Sequence, residues 1–222
     1  MFDAAIKSDR TVTPDGIQKA VILVKDGLIA DILPGLPEYD YPVTDVGNKV
    51  VMPGIIDPHV HINEPGRTGW EGFDTATRAA VAGGITTLVD MPLNSSPVTT
   101  TVKALNEKIN SARGQLHANC GFWGGVVPGN ENEIEPLIQN GVLGFKAFLT
   151  HSGIDEFPNV TEDDLRKVMP VIAKYNLPLL VHCELETKME IDRKRDNRSY
   201  QQYLASRPGK WEDNAIALMI GL

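Results

Sequence analysis

His59-Val60-His61, within Val51 to Arg67 (VMPGIIDPHVHINEPGR), is the one place in this chain where two histidines stand two residues apart. In an extended strand alternate side chains share a face, so both imidazoles point one way and Val60 the other, a two-point clamp for a metal ion. Asp57 stands two residues earlier. A lone histidine at a strand end is more often a hydrogen-bonded core residue than a ligand, and the paired spacing weighs against that reading.

Lys146 in GFKAFL and His182 in LLVHCE share the same setting, a polar residue expected at the carboxyl end of an apolar strand. A lysine between Phe145 and Phe148 is costly to bury charged, so its pKa should fall and its neutral amine become available. Such an amine can form a Schiff base, or take up carbon dioxide as a carbamate that bridges two metal ions. The alternative is a lysine with a buried stem and a solvated ammonium. His117, near the start of its strand, reads as structural, whereas His151, followed by Ser152-Gly153 beyond Lys146, is placed to face a substrate.

These residues need a scaffold that gathers strand ends. Val50 to Ile56 is an apolar run broken by Pro53-Gly54, a turn feeding a buried strand, and the histidines follow at its carboxyl end, where parallel α/β sheets put their chemistry. Upstream, Lys19 to Leu33 holds two apolar runs flanking Lys25-Asp26-Gly27, a hairpin signal, with a third strand expected over Thr44 to Val51. Downstream, helix and strand alternate: a helix over Gly72 to Ala82 capped by Asp74 or Thr75, a strand over Ile85 to Met91, and a helix over Thr101 to Arg113. A strand within Gln115 to Val127, a helix over Glu131 to Gln139 and a strand over Gly144 to Leu149 come next. Thr161 to Tyr175 opens with the capping pattern Thr161-x-x-Asp164, and Pro178 to Cys183 is a short strand. Glu184 to Leu222 reads as polar and helical, ending in the apolar-faced Trp211 to Leu222. This rhythm implies βαβ units and a parallel sheet.

The 222 residues, 42% hydrophobic and 23% charged, suit a globular chain of one large or two small domains. A net charge of −8 argues against nucleic acid or anionic membrane as the main partner. Cys120 and Cys183 make no disulfide framework, the start MFDAAIKSDR lacks the apolar core of a signal peptide, and no apolar run approaches a membrane span, so a reducing cytoplasm is expected.

Taken together, the motifs resemble the binuclear-metal amidohydrolases of the dihydroorotase, hydantoinase and allantoinase group. HINEPGRTGWEGF, DMPLNSSP, GFWGG, GFKAFL, HCE and SRPGKWEDNAIAL, in that order over nearly all of Val50 to Leu222, look most like the allantoinase branch. The resemblance implies a partial (β/α)8 barrel of the TIM type, about five of eight strands, over residues 53–222. It also implies that residues 1–52 are a small β unit, part of a composite β-sandwich. His59 and His61 would bind one divalent ion, a carboxylated Lys146 would bridge to a second, and His182 would hold that second ion. Zinc comes first among the metals that His and carbamate suit, with iron, cobalt and manganese also open. A hydroxide held by the two ions would open the ring of allantoin to give allantoate in purine catabolism.

Dihydroorotases resembling this stretch carry an arginine two residues after the second histidine, to pair with the substrate carboxylate. Asn63 stands there, and allantoin has no carboxylate. Arg67, Asn94, His151, Ser152 and Gly153 are the further candidate substrate contacts; for Arg67 the alternative is support of the Glu64-Pro65-Gly66 turn. The resemblance also implies a homotetramer, and places a sixth-strand histidine and an eighth-strand general-base aspartate beyond residue 222. Residues 1–222 alone are accordingly expected to be inactive. The alternative readings are a dihydropyrimidinase, hydantoinase or dihydroorotase-like cyclic amidohydrolase and, from another class, a non-catalytic fragment or homologue acting as an assembly partner.

Overall fold

The computed structural model describes residues 2–37, 41–187 and 198–222. Two compact units divide it, Met1–Gly54 and Ile55–Leu222.

The first unit is a five-stranded sheet of β1 (Ala4–Thr13), β2 (Gly16–Lys25), β3 (Leu28–Leu33), β4 (Val43–Asp45) and β5 (Val50–Val51), ordered β3-β2-β1-β4 with β5 also on β1. The hairpin at Lys25-Asp26-Gly27 forms as expected. Asp26 and Gly27 both take positive φ, 52° and 74°, the conformation that matches the strand twist in a two-residue turn. One expectation is corrected and one strand was not anticipated. The run Thr44 to Val51 is not one strand but two short ones, separated by a turn in which Gly47 has φ 60°. The sheet's central strand, β1, gave no apolar signal because its buried positions include Ala5, Ser8 and Thr11. Ser8 is satisfied by donating to the Lys49 carbonyl at 2.6 Å.

The second unit alternates β6 (Ile55–Val60), α1 (Phe73–Ala82), β7 (Ile85–Asp90), α2 (Val102–Ala112), β8 (Asn119–Phe122), β9 (Gly124–Gly125), α3 (Glu131–Gln139), β10 (Phe145–Phe148), α4 (Glu162–Lys174) and β11 (Leu179–His182), followed by α5 (Tyr200–Ala205) and α6 (Lys210–Gly221). Every pairing is parallel and the strands lie in chain order, β6-β7-β8 and β9-β10-β11. Chain order without reversal is the order of a barrel wall and not of a doubly wound sheet. The unit is thus part of a (β/α)8 barrel.

The single strand expected in Gln115 to Val127 is two pieces, β8 on one neighbour and β9 on the other, hinged at Trp123. The Trp123 N–H reaches back to the Asp90 carbonyl at 2.9 Å, while the Gly124 N–H reaches forward to the Gly144 carbonyl at 2.9 Å. A Cβ on Gly124 would lie 2.7 Å from the Phe145 ring, so only glycine lets the wall close in here.

Alternation along β10 sorts the two faces. Phe145 and Ala147 join Ile134, Leu137, Leu165 and Val168 in the main core beneath α3 and α4, leaving Lys146 and Phe148 on the other face. The capping box at α4 forms as its sequence requires. At α1, however, neither Asp74 nor Thr75 caps. Gly72 is the N-cap, and the Phe73 N–H is taken instead by the Glu64 carboxylate at 3.0 Å, so the loop after β6 supplies the missing acceptor. Within the expected helical tail, residues 188–197 lie outside those described. Among the described residues no helix is long and apolar enough to cross a membrane.

Candidate metal centre

His59 is the penultimate residue of β6 and His61 follows its last. Their ring centroids lie 5.5 Å apart at 52°, so the strand geometry brings the pair together. Partial burial lowers the His61 pKa, helped by the charge of His59 and, more weakly, of Lys108 and Lys146, while a hydrogen bond with the Leu93 backbone acts the other way. That direction favours the neutral imidazole, which has a lone pair to offer.

Lys146 is 7% exposed. It is the second residue of β10, not the strand-end residue expected, because the ladder to β11 runs on through Phe148. Its Nζ lies 4.8 Å over the Phe148 ring, and burial lowers its pKa. Across the ladder, His182 ends β11 in register with Phe148, and the two rings stack at 5.1 Å and 15°. One aromatic ring thus touches both Lys146 and His182. Glu184 fixes His182 from the other side: its Oε2 is 3.2 Å from His182 Nε2, and both its oxygens accept from Arg207 Nη1 at 2.7 Å. Lys146, His182, Glu184 and Arg207 line a cleft of about 450 Å³ together with Trp211.

Among the described residues no three His, Cys, Asp or Glu side chains stand close enough together to hold a metal ion. Two imidazoles are gathered, the third is carried on another strand, and a lysine with a depressed pKa lies on the same sheet face as that third histidine. That donor set fits metal ions once the lysine carries an oxygen donor, which a carbamate supplies.

The other candidates are placed as follows. Arg67 is engaged by protein: Nη1 donates to the Asn94 carbonyl at 2.9 Å, and Nη2 pairs with Glu156 at 2.6 Å. It ties the loops after β6, β7 and β10 together. The first two also meet at Gly66 (φ +87°), where a Cβ would lie 2.5 Å from the Ser96 carbonyl oxygen. Asn94 has φ 77°. His151 is exposed, with the Gly153 N–H donating to its Nδ1 at 3.1 Å, and Ser152 donates within its own loop to the Phe157 carbonyl at 2.6 Å. Asn63 is buried, its backbone spanning Glu71 and Arg67. His117 pairs with Asp74 at 2.9 Å at the opposite strand end.

One cluster next to the histidines was not singled out from the sequence. Asp90 and Lys108, both fully buried, pair at 2.6 Å, and Asp90 Oδ1 accepts from the Ile62 N–H at 2.7 Å. Burial pushes the Asp90 carboxyl up, and the Lys108 ammonium opposes it. The signal was present: Lys108 stands on the buried stripe of α2 with Ala104, Leu105 and Ala112, and a lysine there needs an internal anion.

The profile of the amidohydrolase family matches residues 50–209. Allantoinase of Arabidopsis thaliana is 44% identical over 98% of this chain and 45% of the plant protein. Allantoinase of Streptomyces avermitilis is 46% identical over 98% of this chain and 49% of its own length. Among solved structures, the L-hydantoinase (dihydropyrimidinase) of Arthrobacter aurescens superposes with a TM-score of 0.89 at 34% identity, covering 99% of this chain and 50% of that one. The chain spans about half the length of the relatives it matches.

Proposed function

We propose, from the premise that this chain belongs to the amidohydrolase family, that the protein carrying it hydrolyses the ring amide of allantoin to give allantoate. The observation that carries the reading is the placement of Lys146, buried with a depressed pKa on the sheet face shared with His182, together with the paired imidazoles of His59 and His61. In this reading His59 and His61 would hold one divalent ion, a carboxylated Lys146 would serve both ions, and His182 would hold the second, with zinc the first choice. Bound there, the ions polarise a carbonyl and acidify water.

The chain's own residues do the rest. A neutral Lys146 amine attacks carbon dioxide and releases one proton in becoming the carbamate, so its lowered pKa favours the modified form. Glu184, anchored by Arg207, holds the proton on His182 Nε2 and leaves the other ring nitrogen free to ligate. The buried amide Asn63, in place of an arginine, favours a substrate without a carboxylate. Arg67 shapes the site's loops through its protein partners, while Asn94, His151, Ser152 and Gly153 bound the substrate side. The protein works as a homotetramer on a small-molecule substrate in the cytoplasm.

A hydantoinase reading is favoured by one observation, the 0.89 superposition on the L-hydantoinase. Comparing kcat/KM for allantoin, hydantoin and dihydrouracil in the full-length protein decides between them. Allantoin is expected to lead, and a clear preference for hydantoin or dihydrouracil overturns the allantoinase reading.

A further inference from the structure

We infer that Asp90 and Lys108 are a buried positioning pair that fixes the backbone carrying His59 and His61, acting through the Ile62 N–H. The inference rests on the reading of those histidines as metal ligands.

The β6–β7 ladder is irregular at this point, with register shifts between Ile55 and Ile56 and between Asp57 and Val60. The ladder is interrupted between Asp57 and Val60, so side chains add to what holds residues 57–62 in place. The Trp123 indole donates to the Pro58 carbonyl at 2.8 Å, Asp57 accepts from the His59 N–H at 3.1 Å, and the Asp90 carboxylate accepts from the Ile62 N–H at 2.7 Å. The backbone adds a bond from the Met91 N–H to the Val60 carbonyl at 2.8 Å.

Lys108 orients that carboxylate. It pairs with Asp90 Oδ2 and donates to the Met91 carbonyl at 3.1 Å, leaving Oδ1 aimed at Ile62. A buried ion pair is seldom better for stability than an apolar pair of the same volume. What an apolar pair cannot supply is an acceptor for Ile62, one residue after His61. Exchanging a supporting hydrogen bond at a metal site typically weakens ion binding about 10–100-fold.

The test uses the full-length protein as purified, challenged with increasing chelator, with zinc retained per chain as the readout. Asp90→Asn/Lys108→Met keeps a carbonyl acceptor for Ile62, whereas Asp90→Leu/Lys108→Met removes it without stranding a charge. The Asn variant is expected to retain zinc nearly as the unmodified protein does, and the Leu variant about 10–100-fold more weakly, at comparable melting temperatures. Asp90→Ala/Lys108→Met supplies the same comparison if the Leu variant does not fold. Equal zinc retention in the Asn and acceptor-free variants overturns the inference while leaving the metal reading standing. An unmodified protein that holds no zinc, with His61→Asn changing nothing, overturns the metal reading and this inference with it.

Discussion

At the scale of single residues, the proposed function rests most heavily on Lys146. Its depressed pKa means that the neutral amine, the form that reacts with carbon dioxide, is already appreciable at pH values where a solvated lysine is almost wholly charged. Reconstitution of metal-stripped protein with zinc at a fixed concentration of dissolved carbon dioxide should therefore quicken as pH rises and level off above the lowered pKa, short of pH 10.5, which initial rates across a pH series would check. Lys146→Ala should lose the metal ions together with at least about 99% of activity. Short carboxylic acids should restore part of both, since a free carboxylate can stand where the carbamate would. Metal analysis alongside turnover reads this out, and an alanine variant with full metal content would refute it. The linkage for His61 has a definite sign. Its folded pKa is lowered, so metal-free protein should gain stability as pH rises through the window between that value and about 6.5, and lose it below; urea melts at several pH values, compared with His61→Asn, test this.

Among the elements, the loops after β6, β7 and β10 are held by one guanidinium. Arg67 is 22% exposed at its side chain and Glu156 45%, so the ion pair is partly screened, whereas the bond to the Asn94 carbonyl is better sheltered. Arg67→Met is expected to cost about 1–3 kcal/mol and Glu156→Gln less than about 1 kcal/mol, measured by chemical denaturation. Amide hydrogen exchange in all three loops should quicken together in Arg67→Met, and acceleration confined to the loop after β6 would show that they are not coupled. The α4 capping box, with Thr161 and Asp164 serving each other's backbone N–H, gives a local comparison. Thr161→Ala should cost about 1 kcal/mol without altering metal content.

For the whole molecule, the proposed allantoinase reading makes Asn63 the residue that sets specificity. The full-length protein should open allantoin far better than dihydroorotate, and comparable kcat/KM values would contradict that. Much of this molecule was legible in the sequence: Thr161-x-x-Asp164, Asp26-Gly27 and the apolar runs at Ile85, Phe145 and Leu179 mark local structure through periodicity and turn chemistry, which act over a few residues. The sequence by itself thus determined the alternation of strands and helices from Ile55 to His182, the His59/His61 pair and the lysine and histidine on the later strands. Only the tertiary structure decided how these are held. Lys108 finds Asp90 across 18 residues of chain and Arg67 finds Glu156 across 89. Trp123 divides its strand between two neighbours, and the Glu64 carboxylate, not a side chain at Gly72, caps α1. A polar group's sequence neighbours state only that it will need a partner once buried; which partner it meets is fixed when the barrel wall brings distant strand ends together.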